Sequence, residues 1–446
     1  MAPPSRAGSS ARPLSGLFAI AKPSGPTSMH ILDTLKPLLA SSDLFYEPGT
    51  PEPHSKKHKG RRTKPWERAL LQRCGRMPPK IGQGGTLDPL AEGVLVIGVG
   101  AGTKHLQQFL NCTKEYRTVG LLGSATTSYD SQEPIMRRAP FAHVTRELVA
   151  STLPQFTGEL MQVPPLYSAV RIDGKRLFDY ARQDIPLPRP IEARKVTVSE
   201  LRLVDWLPGG THAYKPPSAE ISDTDHALVD KIRNMTGSSY DTRRVDATNR
   251  DGGDSDKQPA ATPASDAPAS SDALASSDAP PAMVLDMTVS GGTYVRSVVH
   301  DLGAAVGSAA HVARLIRTRQ GQFSLGHTSA PQDGAVVDSG VDIPGNCIPW
   351  AVFERGLAEH DSAKRGDTSL DTRDESGLRE WERILLGACV HTNQDPACIA
   401  MHHAAARPRR PALSAAPARA AALTAARVQP RPVHASAPER RHQSEK

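Results

Sequence analysis

The stretch that decides the fold of this chain is Gly84-Gly85-Thr86-Leu87-Asp88-Pro89-Leu90-Ala91-Glu92-Gly93, followed by the apolar run Val94–Val99. The paired glycines allow backbone angles that other residues avoid. Pro89 fixes its own φ and biases Asp88 towards an extended conformation. The pattern predicts a turn that presents one carboxylate at a set angle in front of a buried strand. Taken alone, it favours an ordinary turn that Asp88 caps.

The composition of the 446-residue chain predicts that only part of it folds. Hydrophobic residues make up 38% and aromatic residues 4%, beside 35 glycines and 39 prolines. Segments of such composition bury too little apolar surface to offset the entropy of ordering. The five cysteines are scattered, which argues against a disulfide framework or a zinc site and indicates a reducing compartment. No apolar run approaches the ~20 residues that span a bilayer, so no membrane association is expected.

The formal net charge of +7 is unevenly placed and does not by itself indicate a nucleic-acid ligand. Residues 403–446 hold nine basic and two acidic residues, whereas residues 209–281 hold seven basic and twelve acidic ones. The remainder is modestly basic, which suits a polyanion ligand without proving one.

Composition also divides the chain into a body and several low-complexity segments. The first acidic residue is Asp33, so the start of the chain is typical of a disordered terminus or of a mitochondrial presequence. The basic cluster Lys56–Arg62 is compatible with a solvated loop, a nuclear import signal or a phosphate-contacting arm. The expected division is a terminus at 1–16, a body at 17–207 with a basic insertion at about 41–66, an acidic insertion at 208–281, a second body segment at 282–355, a weakly helical extension at 356–402 and a disordered Ala/Arg/Pro tail at 403–446.

Hydrophobic periodicity predicts alternating strands and helices within the body. Strands are expected at 17–21, 94–99, 114–123, 195–204, 282–290 and 322–325, and helices at 29–39, 145–153, 177–182 and from about 294. The basic run His311–Arg319 is predicted to be the end of a helix that leads into the last strand.

Several motifs of known chemistry are missing from the sequence, and this limits the kinds of reaction that it predicts. The chain has no dinucleotide-binding glycine motif after a strand, no P-loop, no Ser-His-Asp arrangement and no metal-ligand spacing, so neither a cofactor nor a metal is expected. What remains is a well-presented carboxylate, a tyrosine, an arginine and several basic loops. A carboxylate held ionised by an arginine can act as nucleophile or base without a cofactor. A tyrosine offers a flat face on which a nucleobase can stack.

Residues 84–95 closely resemble the catalytic motif of the TruB-type tRNA pseudouridine synthases. Four further blocks occur in the order found in that family, namely Lys22–Ser28, Lys114–Arg117, Gln162–Ala169 and Gly292–Arg296. The resemblance covers about residues 17–207 and 282–330, and five ordered blocks favour a chemical role for Asp88 over a capping role. It implies an α+β fold of the pseudouridine synthase type, with a mixed, mostly antiparallel central sheet flanked by helices and RNA-gripping loops.

The resemblance implies isomerisation of uridine 55 in the T arm of tRNA to pseudouridine after base flipping. By this resemblance Asp88 is the catalytic carboxylate, and Tyr116 stacks on the target base and assists the later proton removal. The other residues that it assigns to substrate binding are Arg296 as the partner of Asp88, Tyr294 in the uracil pocket, Asp130 beside that pocket, Lys22 in the first block, and Lys175 and Arg176 in an RNA-gripping loop at 167–196.

Two departures from the family pattern favour one branch of it. Gln83 stands where many bacterial members have a histidine, so an amide would have to share in base flipping. The tail shows no convincing accessory RNA-binding module of the PUA type. Both features are similar to the eukaryotic nuclear and mitochondrial branch, which implies a location in the nucleus or mitochondrion, and possible presence in the cytoplasm as well. The resemblance further implies a monomer that binds the tRNA T stem-loop without an obligate protein partner.

Two other functions remain open at this point. One is an RNA-guided synthase that works inside a ribonucleoprotein, although Leu90–Gly93 is more similar to the stand-alone enzymes. The other is a tRNA-folding chaperone in which Asp88 only caps a turn. The sequence also leaves open whether the carboxylate adds covalently or removes a proton from the sugar.

Overall fold

The computed structural model of the protein describes residues 12–49, 64–183, 185–221, 279–327, 343–367 and 369–391. The expectations for residues 1–11, for the cluster Lys56–Arg62, for most of the acidic insertion and for the tail from 403 lie outside the described residues. Among the helices within these ranges, none is long and apolar enough to cross a bilayer.

The described residues form seventeen strands and eight α-helices. The strands are β1 (Gly16–Lys22), β2 (Ile81–Gln83), β3 (Glu92–Val99), β4 (Lys114–Leu122), β5 (Ser124–Thr126), β6 (Ile135–Arg138), β7 (Gly158–Gln162), β8 (Arg171–Ile172), β9 (Lys175–Arg176), β10 (Arg194–Leu207), β11 (Ala282–Val289), β12 (Ala310–Gln320), β13 (Phe323–Ser324), β14 (Gly326–His327), β15 (Ile343–Pro344), β16 (Cys347–Pro349) and β17 (Val390–His391). The helices are α1 (Ser28–Ala40), α2 (Pro65–Cys74), α3 (Gln107–Asn111), α4 (Arg146–Thr152), α5 (Leu177–Arg182), α6 (Val295–Ala305), α7 (Trp350–Lys364) and α8 (Glu380–Ala388).

One large sheet organises the molecule. Its strand order is β16-β1-β3-β12-β4-β11-β10-β7, with β2 added to β3, β13 to β12 and β17 to β1. Neighbouring strands run antiparallel except for the pairs β1–β16 and β3–β12. The predicted α+β class with a mixed, mostly antiparallel sheet is therefore confirmed.

Strand β1 shows how the sequence divides the two faces of the sheet. Phe18 and Ile20 belong to the main core with Ile31 and Leu35 of α1, whereas the alternate residue Ala19 belongs to a smaller cluster on the other face. This is the period of two that a strand imposes. Burying each large apolar side chain contributes about 1.5–3 kcal/mol. Most of these side chains belong to the main core, so the face of the sheet that packs on the helices contributes most of this stabilisation.

The prediction of a helix end at 311–319 is wrong, because these residues form the central strand β12. The register of β12 against β4 shifts between Val312 and Arg314 and again between Arg317 and Arg319. Each shift displaces the inward-facing positions by one residue, so the apolar residues lose the period of two. The sequence spacing therefore suggests a helix where the chain is extended.

Three expected boundaries also differ from the structure. Leu14 is already buried, and Leu44 and Phe45, inside the expected basic insertion, belong to the main core. The boundary at 355 falls inside α7, which continues to Lys364. Core packing overrides the polar composition of the surrounding segments in each case.

The start of the expected acidic insertion is ordered as well. Ile135 in β6 donates its amide to the carbonyl of Ala219 at 2.9 Å, and Ile221 donates back to the carbonyl of Ile135 at 3.0 Å. The structure therefore extends the first body segment from 207 to at least 221.

Candidate active site

Asp88 lies on the loop that joins β2 to β3. The amide of Gly84 donates to the carbonyl of Val96 at 2.9 Å, and that of Ala91 donates to the carbonyl of Asp88 at 3.1 Å, so the loop is closed at both ends. Gly93, the second residue of β3, has a φ of +104°. A Cβ at this position would come within 2.3 Å of the carbonyl oxygen of Arg317. Only glycine fits this close approach.

The ammonium of Lys22 holds the turn that carries Asp88 by hydrogen bonds to backbone carbonyls. Its Nζ donates to the carbonyls of Pro23 (2.9 Å), Pro89 (3.3 Å) and Ala91 (2.6 Å), and the residue is 1% exposed. Burial lowers its pKa from 10.5 to about 8, an effect that nearby Asp88 opposes. The prediction that Lys22 binds substrate is wrong, because all three of its donors are directed at the chain itself. Lys22 fixes the Asp88 turn instead.

A hydroxyl at the start of α1 fixes the same turn from the side. Thr27 caps the helix by accepting from the amide of His30 at 3.0 Å. The next residue, Ser28, donates its hydroxyl to the carbonyl of Leu87 at 3.0 Å and accepts from the amide of Leu87 at 2.9 Å. The residue before the carboxylate is therefore bonded through both of its backbone polar groups.

Two side chains of β12 complete the support of the loop, and the sequence analysis missed both. Arg317 donates from Nε to the carbonyl of Val94 at 2.7 Å, and its two terminal nitrogens reach the carbonyls of Thr86 and Gly85 at 3.3 and 3.4 Å. Gln320 donates to the carbonyl of Gly84 at 2.6 Å. The basic run His311–Arg319 is predicted from the sequence to be a helix end, and its residue types do not show which of its arginines is buried.

Arg296 and Asp88 form an ion pair with unequal exposure. The Nε of Arg296 donates to Oδ2 of Asp88 at 2.8 Å, and the two side chains are 3% and 37% exposed. The remaining nitrogens of Arg296 donate to the carbonyls of Tyr167, at 2.9 Å, and Ser128. A guanidinium fixed at three points holds the carboxylate in one direction. The predicted partnership is present.

Asp130 lies behind this pair. Its Oδ2 is 3.8 Å from Nη1 of Arg296, while its Oδ1 accepts from the hydroxyl of Ser128 at 2.6 Å and the amide of Gln132 at 3.0 Å. Burial raises the pKa of Asp130, and the charge of Arg296 opposes that shift. Asp130 therefore orients Arg296 and does not reach the substrate side directly.

A cleft of about 440 Å³ opens in front of the ion pair. Asp88, Tyr116, Tyr294 and Arg296 line it together, with Lys114, Leu315 and the glycine pair Gly291–Gly292. Four residues that are distant in the sequence therefore share one cavity large enough for a nucleobase and its ribose.

The two tyrosines of the cleft are held differently. Tyr116 projects from β4 and is nearly buried in the main core. Tyr294 caps α6, and its backbone is clamped by Gln162, whose side-chain oxygen accepts from the Tyr294 amide at 2.8 Å and whose amide donates to its carbonyl at 3.0 Å. Burial raises the pKa of Tyr294, so its phenol stays neutral. Gln162 belongs to one of the quoted blocks, but its clamping role was not predicted.

Besides Lys22 and Asp130, three further predicted residues lie outside the cleft. Gln83 is on β2, and its side-chain oxygen is buried without a hydrogen bond to any residue that the structure describes. Lys175 and Arg176 form β9, in a hairpin with its own small core, where their charged groups lie 5.1 and 5.4 Å from the rings of Tyr180 and Phe178. Neither residue lines the cleft, so their role in binding RNA stays a prediction.

Within the described ranges, no group of three or more His, Cys, Asp or Glu side chains is arranged to hold a metal ion.

Comparison with known proteins agrees with this arrangement. The family model described as the TruB family pseudouridylate synthase, N-terminal domain, matches residues 72–214. The chain is 39% identical over 336 residues to tRNA pseudouridine synthase 4 of Schizosaccharomyces pombe, a match that covers 70% of this chain and 79% of that protein. The chain belongs to the TruB family.

Other members of the TruB family show similar coverage. Identity is 34% to tRNA pseudouridine synthase 4 of Saccharomyces cerevisiae, over 70% of this chain and 78% of that protein. It is 32% to the pseudouridylate synthase TRUB1 of Mus musculus, over 76% and 72%. A chain in the crystal structure of a Cbf5–Nop10–Gar1 complex matches 83% of this chain and 58% of its own length at 18% identity with a TM-score of 0.39, which adds nothing to the family assignment.

Proposed function

We propose that this chain isomerises uridine 55 in the T arm of tRNA to pseudouridine, with Asp88 as the reacting carboxylate. The observation that carries the proposal is the Asp88–Arg296 ion pair at the mouth of a cleft that Tyr116 and Tyr294 also line. Membership of the TruB family and two relatives named tRNA pseudouridine synthase 4 support the reaction and the substrate class.

The reaction balances without an external nucleophile or an electron acceptor. The N1–C1′ bond of uridine breaks, the uracil rotates, and a C5–C1′ bond forms in its place. The proton on C5 is then removed, and N1 gains a proton, so the product is an isomer of the substrate. One carboxylate and a site that retains the detached uracil are the minimum requirement.

Asp88 is suited to this step because its carboxylate is directed and accessible. Arg296 stabilises the charge, and the loop contacts of Lys22 and Arg317 prevent the carboxylate from turning away. An ionised carboxylate can add to C1′ or remove a proton from the ribose, and both routes remain open. In either route Arg296 positions Asp88 at the cleft that both residues line.

The target base must leave its stack before it reaches Asp88, which costs a few kcal/mol. Stacking on an aromatic side chain returns about 1–3 kcal/mol per base. Tyr116 is the ring in the cleft that we propose for this role, with Tyr294 as the opposite wall. Gln83, outside the cleft, is proposed to assist the flipped backbone.

The experiment that tests the proposal uses the purified chain alone and a T-arm stem-loop with uridine at position 55. We expect turnover by the wild type, no detectable turnover by Asp88→Asn, and nearly unchanged RNA binding by that variant. A stem-loop with cytidine at the target is the substrate control. Substantial activity of Asp88→Asn would sink the assignment, and activity only with an added guide RNA would favour the ribonucleoprotein alternative.

A cellular experiment separates catalysis from a chaperone role. Pseudouridine is mapped in the tRNA of cells that lack the protein and of cells that carry wild type or Asp88→Asn. We expect only the wild type to restore pseudouridine 55. If Asp88→Asn corrected every growth defect of the deletion, RNA binding alone would be the function under selection.

We also propose that the protein acts as a monomer in the nucleus or mitochondrion, with possible cytoplasmic presence. The basic cluster Lys56–Arg62 and the acid-free first 32 residues support these locations. Light scattering of the purified chain tests the first point. Imaging of fluorescent fusions that lack residues 1–11 or the cluster Lys56–Arg62 tests the second.

A further inference from the structure

A second polar cavity of about 440 Å³ lies outside the candidate active site. It is bounded by the end of α1 and the residues after it, the end of α2, and the segment before α8. Four arginines line it, namely Arg12, Arg76, Arg373 and Arg379, beside only two acidic residues, Asp43 and Glu382. The cavity therefore carries an excess of positive charge.

Internal contacts hold these arginines in place but do not use all of their donors. Arg76 donates to the carbonyl of Ala40 and from Nη1 to Asp43 at 3.0 Å, and it stacks on the ring of Tyr46 at 3.7 Å. Arg379 donates from Nε to Asp371 at 3.0 Å. The Nη1 of Arg379 lies 3.8 Å from Oε1 of Glu382, and its Nη2 makes no hydrogen bond to the part of the chain that the structure describes.

The other two arginines lie at the rim. Arg373 donates from Nη1 to the carbonyl of Gly377 at 3.1 Å and pairs through Nε with Asp371 at 3.3 Å, so one carboxylate serves both Arg373 and Arg379. The Nη2 of Arg373 lacks a hydrogen-bond partner among the described residues. Arg12 is exposed and makes no hydrogen bond or ion pair within the described ranges. Positioned guanidinium donors around an open cavity match the oxygens of a phosphate group.

Helix α1 fixes the position of this cavity relative to the catalytic loop. Ser28 at its start bonds Leu87, next to Asp88, while Ala40 at its end lines the cavity. Thirteen residues of helix measure about 18–20 Å, the length of roughly five to six base-pair steps. A polynucleotide whose target base is in the cleft can reach the cavity only with a part that is several nucleotides away.

We propose that the cavity between the end of α1 and the segment before α8 binds a backbone phosphate of the tRNA outside the T arm. The proposal deepens the proposed tRNA activity and rests on it. The guanidinium groups would recognise a phosphodiester without reading a base, so the contact would position the tRNA and not select its sequence.

The test compares binding of full-length tRNA and of a short T stem-loop, both labelled and unmodified at position 55, by fluorescence anisotropy across a salt series. The variants are Arg12→Ala/Arg373→Ala, and Arg76→Lys, which keeps the charge but removes the fork. The matched control is Arg138→Ala/Arg202→Ala, which removes the same charge at exposed positions elsewhere. Thermal melting verifies that each variant folds.

We expect the Arg12/Arg373 variant to raise the Kd for full-length tRNA roughly tenfold, with a much smaller change for the stem-loop. Its salt slope for full-length tRNA should fall by about one. Arg76→Lys should show the same preference for weakening the full-length complex, and the control should affect neither RNA selectively.

Three outcomes would overturn the proposal. One is an unchanged Kd for full-length tRNA; if the stem-loop is still converted, the proposed activity survives this failure. Another is an equal loss for both RNAs, which would place the contact within the T arm. The third is stabilisation by inorganic phosphate that the variants abolish while tRNA binding persists, which would identify a site for a free anion.

Discussion

Asp88 and Arg296 could be named from the sequence because glycines, proline and an aromatic neighbour mark their positions. The contacts that hold this ion pair in place could not be predicted from the sequence, because most of them are hydrogen bonds to backbone carbonyls. The oxygens of Tyr167 and Ser128 that hold Arg296 carry no residue-type signal. The same reason explains Lys22, whose role is set by three carbonyls that only the folded turn brings together.

Lys22 gives a prediction for the pH dependence of stability. Its pKa is about 8 in the folded protein and 10.5 ordinarily, so between these values the unfolded chain binds the extra proton. The contribution of Lys22 to the free energy of unfolding should therefore rise with pH across this window, and its burial should be most costly below pH 8. Chemical denaturation of wild type and Lys22→Met from pH 7 to 10.5 measures the difference.

The matched control for this series is Lys195→Met, at an exposed position of β10 where Lys195 pairs with Glu159. Its curve should run parallel to that of the wild type. A wild type that loses stability relative to Lys22→Met as the pH rises would contradict the expected sign.

Strand β12 shows why elements of regular periodicity could be predicted and this one could not. Strands β1, β3 and β4 and helix α1 follow their periods and appear within about two residues of the predicted bounds. Two register shifts remove the period from β12, and its buried Arg317 contradicts the usual exposure of arginine. The element that supports the catalytic loop is thus the one with the least regular sequence.

Arg317→Lys is expected to lower kcat by about 10²-fold with little change in KM, because a lysine cannot bond the Val94, Thr86 and Gly85 carbonyls together. Steady-state kinetics on the T stem-loop measure both constants. Arg319→Lys, on the same strand but paired with half-exposed Glu115, is the control and should retain activity. Equal losses in the two variants would show that Arg317 has no special role in positioning the loop.

The C-terminal segment is part of the main core of the molecule and not a weakly helical appendage. Phe353 of α7 and Trp381 of α8 belong to the same cluster as Phe18 of the first strand. Strand β16 pairs with β1 at Ala19–Ala21, beside the pairing of β17 at Gly16 and Leu17. The sequence could not show this, because the residues that cover the edge of β1 are separated from it by more than 300 positions.

Replacing Trp381 by alanine should therefore destabilise the whole domain by about 3–5 kcal/mol, since the side chain is 1% exposed and packs against Gly356. Trp66→Ala is the control, because Trp66 on α2 is 54% exposed and should change stability far less. Urea denaturation followed by circular dichroism measures both. An early, separate transition with an unchanged main transition would mean that the C-terminal helices fold apart from the sheet.

The place of β12 in the strand order also constrains how the chain can fold during synthesis. β12 lies between β3 and β4, yet more than 180 residues of the chain emerge between β4 and β12. Until residue 320 leaves the ribosome, β3 and β4 face a gap where their shared neighbour belongs. A nascent chain with two such unpaired edges is exposed to wrong pairing, and contacts of such long sequence separation form slowly. The strand order that holds the Asp88 loop in place thus leaves the nascent chain exposed to wrong strand pairing until β12 has been synthesised.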